Sequence, residues 1–150
     1  MLGVSSVSVI EDQMVLTFSD VQSGSDFVQV VFGQMAESAV NVDMISLIPD
    51  QSASYSLALT TSNQYYPQLM QLLGSLRGRF PQVKFGISDG YAKVIAAGEE
   101  MKSQPGVAAA VITAVRQSGV DIQMITTSET DISLLVQSVH ADTVKSALEG

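Results

Sequence analysis

Apolar positions change period several times along this chain, and each change marks an element. Val4, Val7 and Val9 alternate loosely with serines before Glu11-Asp12, which predicts a strand over residues 4–10 and then a turn. Val15, Leu16 and Phe18 predict a second strand over residues 13–18. Behind a polar loop, Phe27, Val28, Val31, Met35 and Ala36 recur at helical spacing, predicting a helix over residues 26–38. In residues 40–46 the side chains alternate, so Val40, Val42 and Met44 share one face and Asn41, Asp43 and Ile45 the other. Pro49-Asp50-Gln51-Ser52 has turn chemistry, and Tyr55, Leu57 and Leu59 predict the next strand. Asn63 is placed to cap a helix carrying Tyr66, Leu69, Leu72, Leu73 and Leu76, closed by Gly78. Residues 83–87 form one more strand, ended by Asp89-Gly90.

The pattern then repeats. Val40-Asn41-Val42-Asp43-Met44-Ile45-Ser46 returns as Val120-Asp121-Ile122-Gln123-Met124-Ile125-Thr126, and at the same offset of 80 residues Phe32 matches Ile112 and Met35 matches Val115. The second copy opens with a strand over residues 91–98 and a loop in which Pro105 suits a helix's first turn. Val107, Val111, Ala114 and Val115 form its helical stripe, with Gly119 as the residue just past the end. Ala39 holds that place in the first copy and would be strained at positive φ. Ile132, Leu134 and Val136 predict a strand, and Val144, Ala147 and Leu148 a last helix.

The order is therefore β, then βαββαβ, then βαββα. The second module lacks a final strand and the chain opens with an unpartnered one, so residues 4–10 are expected to complete the second sheet. The fold class is α+β: two ferredoxin-like βαββαβ modules, each an antiparallel sheet with helices on one face. The first module (residues 11–88) is inserted into the second (residues 1–10 plus 89–150). A module of ~70 residues buries little surface by itself. Strand sharing and dimerisation offset that weakness.

Composition narrows the function. Fifteen acidic against seven basic side chains give a net charge of −8, a field that repels nucleic acid and anionic membranes. There are no cysteines, so disulfides, thiolate metal sites and a cysteine nucleophile are excluded. No apolar run approaches the ~20 residues of a membrane span, and residues 1–5 show no signal-peptide pattern. A cytoplasmic protein is expected.

Phe32-Gly33-Gln34-Met35-Ala36-Glu37, followed by residues 40–46, resembles the first regulatory ACT domain of aspartokinases. Met101-Lys102-Ser103-Gln104-Pro105-Gly106-Val107-Ala108-Ala109, with Ile125-Thr126-Thr127-Ser128-Glu129 and Ile132-Ser133, is similar to the second. The resemblance covers nearly the whole chain and leaves out the family's catalytic domain. Lys84-Phe85-Gly86 is similar to the start of that domain, but it lies mid-chain and is read as coincidence. The resemblance implies the regulatory half alone, as a free-standing ACT protein or a separately made small subunit of an aspartokinase, with the first ACT domain inserted into the second.

It also implies an effector amino acid held where the first ACT domain meets the second domain of a neighbouring chain. By position, the effector-binding residues are Gly24, Ser25, Asp26, Phe27, Val28, Asn41, Val42 and Asp43, with Asp121 and Ile122 arriving from the second domain. The chemistry fits, because an ammonium needs an acid such as Asp43 and a carboxylate suits the N–H groups at a helix start. Phe27-Val28 looks more like the lysine-sensing pattern, and Leu47 stands where threonine-sensing members tend to have Gln.

The expected protein is a non-catalytic homodimeric sensor without cofactor or metal, serving feedback control of aspartate-family biosynthesis, with an aspartokinase catalytic subunit as a partner. Its rival is a ligand-free ACT dimerisation and assembly module. The second module, including Ser128 and Glu129, is weighted towards structure. His140 reads as a cap or surface residue, the methionines as core filler, and Glu99-Glu100 as a solvated loop. No Walker loop or nucleophile–base spacing suggests an enzyme. Strand sharing predicts that deleting residues 1–10 destabilises the second module in a urea titration; an unchanged unfolding midpoint would count against it.

Overall fold

Four of the expected strands prove to be two. Residues 4–10 and 13–18 belong to one strand, β1 (Ser6–Gln22), and the stretches on either side of Asp89-Gly90 belong to β4 (Lys84–Ala97). The turn expected at Glu11-Asp12 is absent because Asp12 takes a left-handed conformation (φ 59°) within the strand, and Gly90 (φ 90°) does the same in β4. Aspartate and glycine are among the residues that tolerate this region, so the chain can change twist without turning back. Both strands are thereby longer than local pattern alone suggests.

The computed structural model describes residues 1–50 and 52–150. It contains, in order, β1, α1 (Phe27–Glu37), β2 (Ile45–Pro49), β3 (Ser54–Ser62), α2 (Tyr66–Arg79), β4, α3 (Val107–Gln117), β5 (Met124–Thr127), β6 (Asp131–Gln137) and α4 (Ala141–Glu149). Two compact units result: Gln13–Asp89, and Met1–Asp12 with Gly90–Gly150. Gln51 of the expected turn lies outside the described residues. Beside it the Asp50 N–H donates to the Ser54 carbonyl at 2.7 Å.

In the unit Gln13–Asp89 the strand order is β2–β3–β1–β4. β3 pairs antiparallel with β1 and with β2, so that Leu16 and Ile45 both stand opposite Leu59. Met14, Leu16 and Phe18 of β1 and Leu57 and Leu59 of β3 share one face, which packs on the apolar stripes of the helices. α1 contributes Phe27, Val31 and Met35, spaced every fourth residue, and α2 contributes Leu69, Leu72, Leu73 and Leu76. Phe27 lies edge-on to Phe18 at 5.2 Å and to Phe80 at 5.0 Å, so the start of α1 is anchored by an aromatic cluster.

The unit of Met1–Asp12 and Gly90–Gly150 has the equivalent order, β5–β6–β4–β1. Val94 and Ile125 both face Leu134 across antiparallel ladders. The Ser5 N–H donates to the Ala97 carbonyl at 2.8 Å, where β1 begins beside the end of β4. Its core holds Ala92, Val94 and Ala96 against Val107, Val111 and Val115 of α3 and Val144 and Leu148 of α4. Both units are α+β with an antiparallel sheet and helices on one face.

Several local expectations are corrected. Residues 40–43 and 120–123 keep their alternation, with Val40 and Val120 buried and Asn41, Asp43 and Asp121 exposed. They nevertheless lie outside the strands, which begin at Ile45 and Met124. Asn63 is not a cap: Ser62 accepts from the Gln64 N–H at 3.3 Å and starts a short 3₁₀ turn. Gly78 lies inside α2, which instead stops at Phe80 (φ −126°, ψ 70°) because Pro81 disfavours a helical residue before it. Pro105 stands outside α3, whose N-cap is Gly106 at φ 91°. No helix among the described residues is long and apolar enough to cross a membrane.

The two helix ends that match in the repeat differ in strain. Ala39 takes φ 56° after α1, and its N–H and that of Val40 close onto Ala36 and Met35; Gly119 takes φ 80° after α3. A side chain in this region costs about 1 kcal/mol or slightly more. Gly119→Ala should therefore lower stability by about 1 kcal/mol, while Ala39→Gly should leave it unchanged or raise it. Urea unfolding of both variants checks this, and equal losses would mean that φ does not set the difference.

Candidate functional site

One cleft, of about 490 Å³, is built within the unit of Met1–Asp12 and Gly90–Gly150. That size suits a small metabolite. Met101, Lys102, Gln104, Gly106, Val107 and Ala108 line it from the loop before α3 and from the helix's first turn. Thr127, Ser128 and Glu129 line it from the turn after β5, together with Ile132.

Each wall has a local cause. Gly106 at φ 91° turns the chain sharply into α3, and no side chain caps the helix. The first intrahelical bond runs from the Ala110 N–H to the Gly106 carbonyl at 3.0 Å. The N–H groups of Val107, Ala108 and Ala109 therefore have no partner inside the helix and carry its positive dipole end. Val107 is buried and fixes this turn on the core. On the other wall Ser128 behaves as a turn residue: its hydroxyl donates to Asp131 Oδ2 at 2.9 Å and accepts from the Thr130 and Asp131 N–H groups at 3.2 Å.

The charges are unevenly satisfied. Lys102 Nζ lies 3.2 Å from Glu99 Oε2, and Gln104 Nε2 donates to Glu100 Oε2 at 3.3 Å. Glu129 makes no hydrogen bond or ion pair among the described residues. The cleft thus offers bare N–H groups that attract a carboxylate, a free carboxylate that attracts an ammonium, and apolar wall from Val107 and Ile132. That set complements a zwitterion with a methylene chain.

The residues expected to bind an effector fall into separate places. Gly24 (φ 81°), Ser25 and Asp26 are exposed in the loop before α1. Phe27 is in the core, so it can offer a ligand only backbone groups, and Val28 is partly buried against that core. Asp26 Oδ2 is held 2.8 Å from Arg79 Nη2, and Ser25 Oγ accepts from the Phe27 N–H at 3.4 Å. Asn41 reaches Tyr65 Oη at 3.5 Å, Val42 packs against the core, and Asp43 is exposed and already has a partner. These two groups flank α1 at opposite ends, and its 11 residues separate them by about 16 Å. Asp121 pairs loosely with Arg116 at 3.8 Å and Ile122 packs partly on its own unit's core.

The cleft's residues were legible as a motif, but its chemistry was not. Met101 to Gly106 and Thr127-Ser128-Glu129 are far apart in sequence, and only the β6-to-β4 pairing draws them together. A bare helix start also has no signature in composition. His140 ends a 3₁₀ turn just before α4, is partly buried, and makes no side-chain cap hydrogen bond. Among the described residues no group of three or more acids and histidines could hold a metal ion.

Comparison with known proteins adds what the chain is similar to. Residues 94–150 match the model of the ACT domain. The chain is 32% identical to an aspartokinase of Mycolicibacterium smegmatis over 122 residues, 79% of this chain and 28% of that protein. With an aspartokinase of Geobacillus stearothermophilus it shares 30% identity over 131 residues, 87% of this chain and 31% of that one. The chain thus spans under a third of the length of these curated relatives. Its fold is similar to the ligand-free regulatory subunit of aspartate kinase from Thermus thermophilus (TM-score 0.88, 24% identity, 98% of this chain and 97% of that one). It is also similar to part of aspartate kinase from Synechocystis (TM-score 0.86, 26% identity, 97% of this chain and 26% of that one).

Proposed function

We propose that the chain is an aspartokinase-type regulatory ACT region and a non-catalytic sensor of an effector amino acid, lysine before threonine. The observation that carries this reading is the cleft between the first turn of α3 and the turn after β5, with Glu129 unpaired at its edge. The α-carboxylate of the ligand accepts from the free N–H groups of α3, where the helix dipole favours an anion. Glu129 takes an ammonium, and the apolar wall takes the methylenes of a long side chain. Feedback control then follows if occupancy changes how this region acts on an aspartokinase catalytic partner in the cytoplasm.

We further propose that each unit is one ACT module, the first inserted into the second, and that the chain works as a homodimer. The separation of Gly24–Val28 residues from Asn41, Val42 and Asp43 by the length of α1 supports the dimer: a second copy is the simplest way to bring the two sets to one ligand, with Asp121 and Ile122 from its second module. That would be an additional effector site, completed only on association.

A second reading, a ligand-free assembly module, has its own observation. Ile45, Leu47 and Ile48 on the edge strand β2 are 50%, 47% and 58% exposed, more apolar surface than a solvated edge needs. Such an edge serves association whether or not a ligand binds.

Thermal unfolding separates these readings. Lysine at ~100 times its Kd should add about 2.7 kcal/mol of stability, a rise of roughly 5–10 °C in Tm at this chain length. Glu129→Gln should remove most of that rise without moving the unliganded Tm. If Asp43→Ala removes it and Glu129→Gln does not, the effector lies in the dimer-completed site. A flat response to lysine, threonine and methionine supports the assembly module.

A further inference from the structure

The first turn of α3 is held from two sides, and only one of them is the cleft. On the other lies Gly3, a buried residue at φ 71°. A Cβ added to Gly3 would stand 2.6 Å from Val107 Cγ2 and 3.3 Å from Val107 Cγ1, so the backbone of the opening segment touches the helix with no side chain between. Gly98 completes the clasp. Its backbone is extended (φ −178°) and would accept any residue, yet a Cβ there would overlap the Gly3 carbonyl oxygen. Two glycines are therefore required by contact, Gly3 against Val107 and Gly98 against the Gly3 carbonyl.

The clasp has an unsatisfied group at its centre. Gln104 Oε1 is buried with no hydrogen-bond partner among the described residues, 3.5 Å from where a Gly3 Cβ would be. A buried acceptor without a partner is unfavourable. Two residues further on, the Ser5 N–H joins the Ala97 carbonyl and β1 begins.

We propose that Gly3 carries occupancy of the cleft to the head of β1. The inference rests on the cleft being the effector site. A carboxylate drawn onto the α3 N–H groups shifts residues 106–108, and the Val107 methyls move with their backbone. Packed interiors transmit such displacements because there is no void to absorb them, so Gly3 must follow, and with it the first hydrogen bond of β1. That strand continues as residues 13–22 of the other unit, which gives a single element by which ligand binding is felt beyond its own module.

Amide hydrogen exchange on the full chain, with and without 10 mM lysine, tests this. In the native protein lysine should slow exchange at residues 104–108 and, by about threefold or more, at residues 5–9. Gly98→Ala pushes the Gly3 carbonyl away without altering any residue of the cleft. In that variant lysine should still raise the Tm, while its effect at residues 5–9 disappears. Gly3→Ala, which crowds Val107 directly, gives a second uncoupled variant should Gly98→Ala fold poorly. Protection of residues 104–108 with no change at residues 5–9 in the native protein would overturn the clasp and leave the cleft standing. So would an undiminished response at residues 5–9 in both variants. Absence of any lysine-dependent change in Tm or exchange would overturn the cleft and the clasp together.

Discussion

Everything in this molecule depends on two strands being too long for one module. β1 gives residues 6–12 to one compact unit and residues 13–22 to the other, and β4 is divided in the same way at Asp89 and Gly90. The unit Gln13–Asp89 is continuous in sequence, whereas the other unit closes its sheet with residues 6–12 from the opposite end of the chain. Units of this size bury too little apolar surface to be secure alone. Because the closing strand of each is covalently the opening strand of the other, neither sheet can lose its fourth strand without disturbing its neighbour's first. Asp12 and Gly90, both in the left-handed region, allow this run-through where a turn was expected.

The duplication sets a frame within which the copies have diverged. Around α1 the helix start is taken up by structure: Phe27 is locked among Phe18 and Phe80, and Asp26 is tied to Arg79. Around α3 the corresponding place is open, with glycine where α1 has the ion-paired Asp26 and a buried valine in place of the aromatic anchor. The surrounding cores follow the same contrast, aromatic and leucine-rich in one unit, alanine- and valine-rich in the other. The smaller core residues of this unit leave the start of α3 lining a cleft, where a ligand can bind.

Much of the architecture could be read from the chain because period is a direct record of burial. The stripes Phe27, Val31, Met35 and Val107, Val111, Val115 are the buried faces of their helices, and Leu57, Leu59 and Leu134, Val136 line the sheets. What could not be read was where strands stop, since Asp12 looks like a turn residue whether the chain reverses or only twists. The site was legible in fragments. Glu129 and the loop before α3 stood out as a family pattern, but the pattern gave no hint that Glu129 is left unpaired. The expected effector residues in the other unit were placed by resemblance to a family, and that placement says nothing of the helix length that divides them.

The central claim is that an amino acid occupies the cleft beside α3. A crystal structure of the protein grown with lysine tests it most directly. The account predicts lysine with its carboxylate on the N–H groups of Val107 and Ala108 and an ammonium beside Glu129. Lysine bound instead between the loop at Gly24 and the residues around Asp43 of a second copy, with the α3 cleft empty, would contradict it.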